Sequence, residues 1–163
     1  MKKIITLVVL IFTISSYSQD LPSKPADGYA FSLGTKFTIK MHPTDSLVYD
    51  YSIIKFETYP DLVDTFENDN LFDENGEKGT IEFCFCLGTS GETQEEKEEN
   101  MKVLLLMKNN SEHSFNYISD IQLEEDGKFE NTSNVGTFKG ARGTEIWPYM
   151  IYTIGLKSFK VME

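Results

Sequence analysis

From residue 29 to the end of the chain, apolar side chains alternate with polar ones in short runs, and turn residues separate the runs about every 10 positions. That period-2 pattern places every second side chain on one face of a strand. In YAFSLGTKFTIKM, Phe31, Leu33, Phe37, Ile39 and Met41 share one parity, and HPTD (42–45) reads as a turn. The segment 47–59 alternates as Leu47, Tyr49, Tyr51 and Ile53, then changes parity to Ile54, Phe56 and Thr58. A parity change predicts a bulge or a strand passing from one sheet to another. TIEFCFCLG (80–88) is apolar on both faces, as in a covered central strand. Residues 101–108 and 114–123 form a hairpin pattern, and 147–162 read as one long closing strand. The polar stretch 60–79, with its Asn75–Gly76 turn signal, reads as a long connection. Residues 92–101 contain helix-favouring Glu and Lys but no apolar face to dock them. The pattern predicts an all-β fold, a single immunoglobulin-like two-sheet β-sandwich over residues 29–163.

The 163-residue chain begins with Lys2 and Lys3, an apolar run over residues 4–14, and small residues at Ser16 and Ser18. That order is the pattern of a secretory signal peptide, expected to occupy residues 1–18 and to be removed. The apolar run is too short to span a bilayer of about 30 Å, so no membrane insertion is expected after cleavage. Residues 19–28 carry two prolines and a glycine, and read as a flexible leader. The expected location is secreted or periplasmic. Without Lys2 and Lys3 the net charge of −11 becomes −13. Such a surface repels phosphate backbones, which disfavours nucleic acid, and leaves a basic exported protein as the compatible macromolecular partner.

Two cysteines, Cys84 and Cys86, are the only thiols. In a strand they share one face, with Cβ atoms about 6.6 Å apart. A disulfide brings its Cβ atoms to about 3.8 Å, so a bridge between them would break the strand. The expected role is apolar filling; a disulfide between Cys84 and Cys86 is the candidate set against it. A zinc site would need two further ligands, and the chain has two histidines, His42 and His113. Residues 71–82 set Asp73, Asn75, Gly76 and Glu82 in register with a calcium loop, but Leu71 stands where the first carboxylate belongs. No metal or other cofactor is expected. Nor does any nucleophile elbow, zinc-protease helix or phosphate-cradling glycine loop occur. A hydrolase working through two of the many carboxylates is one alternative; a protein that is not an enzyme is the expectation.

The most acidic run is Glu95, Glu96, Lys97, Glu98, Glu99, which reads as a solvated loop or as a grip for a basic partner. Trp147, the single tryptophan, is held extended by Pro148. It is a candidate anchor for a partner if exposed, and core filling if not. The stretches VLLLMKNNSEHSFNYISDIQ and FENTSNVGTFKGARGTEIWPYMIYTIGLKSF resemble small exported bacterial proteins of unassigned function. The matching positions are Leu104, Leu106, Asn109, Thr132, Ser133, Glu145, Trp147, Pro148, Leu156 and Phe159, within 103–161. The resemblance implies an immunoglobulin-like sandwich and no particular activity. The functional expectation is a non-enzymatic binding or envelope-accessory protein. A second alternative is an inhibitor or immunity-like protein that neutralises a cationic exported enzyme, whose encounter the negative charge would accelerate.

Overall fold

Alternating segments bury one face each, and ten of them pair here. The computed structural model describes residues 22–163; the expected signal peptide and the first residues of the leader lie outside them. The strands are β1 (Gly28–Ser32), β2 (Thr35–Pro43), β3 (Val48–Thr58), β4 (Val63–Asp64), β5 (Thr80–Thr89), β6 (Lys102–Asn109), β7 (Phe115–Gln122), β8 (Phe129–Thr132), β9 (Arg142–Trp147) and β10 (Thr153–Val161). Among the described residues, one helix, α1 (Gln94–Glu99), and a short 3-10 turn at Asp69–Leu71 complete the elements. The sheet runs β8-β7-β10-β3-β2-β5-β6-β9, with β1 added to β10 and β4 to β5. All pairs are antiparallel except β4 with β5. The fold is thus all-β, a curled sheet in one continuous ladder. Its two terminal strands approach each other: the Trp147 indole of β9 donates to the Thr132 hydroxyl of β8 at 3.4 Å.

The parity change in 47–59 is a bulge. Thr38 of β2 pairs with Lys55, but Ile39 pairs with Ile53, so Ile54 is the extra residue. The first run is not one strand. Gly34, at φ +80°, breaks it in a conformation that glycine tolerates. β1 then joins β10, while β2 joins β3 and β5. The two halves still face the same core, and the rings of Phe31 and Phe37 stack at 3.6 Å. The last run is not one strand either. Trp147 ends β9, and residues 148–152 turn into β10.

The sheet curls around Ile39, Tyr51, Phe83, Leu105, Phe115, Leu156 and Phe159, all fully buried. Each such side chain contributes about 1.5–3 kcal/mol on leaving water. Along β5 the inner face carries Ile81, Phe83 and Phe85, and the outer face carries Cys84 and Cys86. The connection 60–79, expected to be a polar loop, covers that outer face. Val63, Leu71 and Phe72 pack there with Cys84, Cys86, Leu104 and Leu106 as a second apolar layer. Arg142 on β9 fastens the cover, its guanidinium donating to Asp69 at 2.7 Å.

β10 is the seam of the sheet. It pairs with β7 along one edge; along the other it pairs with β1 and, past a bulge at Lys157–Lys160, with β3. Where β3 parts from β10, the Tyr51 hydroxyl fills the gap. It donates to the Leu156 carbonyl at 2.6 Å and accepts from the Tyr29 N–H at 2.8 Å. Ser158 adopts φ +58° in the bulge, and the Asp27 carboxylate accepts from its N–H at 3.0 Å.

Candidate partner-binding surface

Strand pairing fixes which turns share an end of the sheet. Residues 59–66, 89–101, 123–128 and 148–152 all connect strand ends at the Thr35, Thr58, Lys102, Gln122 and Thr153 side. The acidic run lies there. It folds as α1 because Thr93 and Glu96 form a capping box: the Thr93 hydroxyl accepts from the Glu96 N–H at 3.2 Å, and the Glu96 carboxylate accepts from the Thr93 N–H at 3.1 Å. Glu96 also accepts from the Glu92 N–H at 2.9 Å, and these amide bonds hold its carboxyl below the usual range. No residue of α1 is buried, as its lack of an apolar face requires.

Contacts in the C-terminal half of α1 tie it to the end of β5. The Thr89 hydroxyl donates to the Lys97 carbonyl, and the Asn100 amide donates to the Ser90 carbonyl at 3.0 Å. Beside it, Thr65 N–H donates to the Thr89 carbonyl at 2.8 Å, which sets the turn 64–67 against the helix. The Asp64 carboxylate caps that turn by accepting from Phe66 and Glu67. Those bonds, helped by the nearby Lys97, hold its carboxyl low. The result is an exposed Phe66, 77% accessible, next to the acidic helix. Met101, Tyr149, Met150 and Tyr152 are also more than two-fifths exposed at this end. A second acidic turn, Glu124–Asp126, follows β7 and is exposed as well.

Of the residues singled out from sequence, Glu95, Glu98 and Glu99 are exposed on α1, Glu98 accepting from the Gln94 amide at 2.8 Å, whereas Glu96 is engaged in the cap. Trp147 is only 5% exposed and belongs to the main core, so the anchor positions are its neighbours Tyr149 and Met150. Phe66 and the 148–152 turn escape a reading by periodicity because they alternate with nothing. The readable signal was large apolar residues inside turns.

Cys84 and Cys86 are free thiols, both fully buried. The neighbouring Cys86 thiol and burial push the Cys84 thiol far up, so it stays protonated. In the calcium-like stretch, Asp73 accepts from the Asn75 N–H at 2.8 Å and Glu82 accepts from the Asn110 amide at 2.8 Å, while Leu71 is buried. Among the described residues no three His, Cys, Asp or Glu side chains group as a metal site. Nor is any helix among them long and apolar enough to cross a membrane. His42 shares a hydrogen bond with Ser52 across β2 and β3 at 2.9 Å, and exposed His113 lies beside the rings of Tyr49 and Phe115.

No family model, curated protein or solved structure matches the chain.

Proposed function

We propose that this is an exported, non-enzymatic binding protein of immunoglobulin-like sandwich type that engages a basic protein partner through the α1 end of its sheet. One observation carries the reading: the turn that exposes Phe66 and the helix that exposes Glu95, Glu98 and Glu99 are both hydrogen-bonded to Thr89, at one end of the sheet. Interfaces combine large apolar anchors with a charged rim, the anchors giving affinity and the rim giving encounter rate and specificity. Tyr149, Met150 and Met101 extend the apolar part, and Glu124–Asp126 supplies acidic charge on the far side. A net charge of −13 on residues 19–163 selects a cationic partner before contact. An inhibitor of a cationic exported enzyme would use the same surface.

The test is capture of basic exported proteins by residues 19–163 immobilised at low and at high salt. Specific capture at low salt, lost at high salt and lost with Phe66→Ser plus Tyr149→Ser, is the expected result. Glu95, Glu98 and Glu99 changed together to Gln should slow association about tenfold and leave dissociation nearly unchanged. Failure to recover any basic protein at low salt, or equal capture by the Phe66→Ser plus Tyr149→Ser variant, overturns the proposal.

A further inference from the structure

The outward face of β1, β10 and β7 carries a groove of about 500 Å³. Its floor follows from register. Ala30 lies opposite Gly155, which lies opposite Asp120, and in a second row Gly28 lies opposite Lys157. Phe129 of β8, 48% exposed, forms one wall, and Asp27 lines the other side.

The two floor glycines differ in what the fold demands of them. A Cβ on Gly28 would come within 2.6 Å of the Lys157 Cβ and 2.7 Å of the Leu156 carbonyl, so β1 cannot approach β10 with any larger residue there. Gly155 has no such reason. Its backbone is not left-handed, and a Cβ would meet nothing nearer than 3.6 Å, with the Phe129 ring at 3.7 Å. Glycine within a strand weakens it and often marks a place that something else approaches. At Gly155 the missing side chain serves the groove rather than the backbone.

The groove already shows what chemistry it suits. The Lys157 stem lies against Gly28, and its ammonium pairs with the Asp120 carboxylate. That partner, with the Asn131 amide at 3.2 Å, holds Asp120 below the usual carboxyl range. Beyond Lys157, the Asp27 carboxylate, which accepts from the Ser158 N–H and hydroxyl, leaves the groove with a net negative charge. A long aliphatic stem ending in a cation fits such a place, since stems bury along apolar surface while their heads meet carboxylates. Resting on the reading of a basic partner, we infer that this groove, on strands other than those that α1 joins, is a second and selective contact for that partner and seats an arginine side chain across Gly155 and Ala30, beneath Phe129.

The experiment uses residues 19–163 and two synthetic peptides, (Arg-Gly)5 and the same peptide with 2,4-diaminobutyrate for Arg, which keeps the charge and shortens the stem. Titration at low salt should show the arginine peptide binding at least tenfold more tightly. Gly155→Val, a β-branched residue suited to a strand, should erase that difference while thermal unfolding stays cooperative. If Gly155→Val does not fold, Phe129→Ala on the exposed wall decides the matter and should have the same effect. Equal binding of both peptides by the wild type, or an arginine preference that survives the substitutions, overturns the pocket and leaves the surface reading standing. No binding of either peptide overturns both.

Discussion

Tyr51 holds the point at which the sheet divides, and its hydroxyl has no water to fall back on. Replacing it with Phe leaves the Leu156 carbonyl and the Tyr29 N–H each without that partner. A buried polar group so orphaned costs about 1–3 kcal/mol, so Tyr51→Phe should lower the urea midpoint without changing the slope of the transition. Burial also raises the Tyr51 phenol far above its ordinary value of 10.0, and burial with the nearby Glu145 charge raises Tyr117 as well. The folded protein therefore keeps both protons at a pH where the unfolded chain releases them. Proton linkage makes stability fall as pH rises past about 10, and Tyr51→Phe should flatten that decline in unfolding curves taken between pH 9 and 11. At this scale the sequence was informative about Cys84 and Cys86, whose separation along a strand argued for packing. It was silent about Tyr51, because a tyrosine on the apolar parity looks the same whether or not its hydroxyl closes a seam.

Between residues and the whole molecule, the cover over β5 is the element whose role depends most on few contacts. Phe72 is its largest buried side chain, over two thiols, and it is fastened from outside by Arg142. Truncating a buried Phe to Ala costs about 3–5 kcal/mol where neighbours do not collapse into the space. Phe72→Ala should therefore loosen the cover. Reaction of the native protein with a thiol-specific chromogenic reagent should speed up by at least tenfold, for both cysteines. Unchanged thiol reactivity would mean that the cover does not shield them. Strand parity made β3, β5, β6 and β7 legible, including the bulge at Ile54. It could not separate β1 from β2 or β9 from β10, since the alternation continues across Gly34 and the strands merely change neighbours. Nor could it show that 60–79 packs, because Val63, Leu71 and Phe72 are too sparse to make a period. Such a segment gains its contacts only from a surface presented by β5 and β6.

For the molecule as a whole, strand direction decides what the charge means. The same acidic residues scattered over all sides would keep the protein soluble and little more. Glu95, Glu98, Glu99 and Glu124–Asp126 lie at turns that share one end with exposed Phe66 and Tyr149, whereas Asp45, Glu77 and Glu112 lie at turns of the other end. Composition gave the sign of this field and not its address, because the address depends on which strand ends lie side by side. The seam at β10 carries a different consequence, one of timing. Tyr51 bonds to Leu156 across 105 positions of chain; β1 waits on residues 153–161 for its strand partner, and β3 and β7 wait on them for their second. Contacts that join the beginning of a chain to its end pay for a long loop before they repay it, and they form slowly. A chain in which residues 153–161 have not yet paired has no way to join β7 to β3 and close its sheet. The nine-residue β10 thus acts as a clasp: until it docks, the β8-β7 part of the sheet and the β3-to-β9 part have no strand between them.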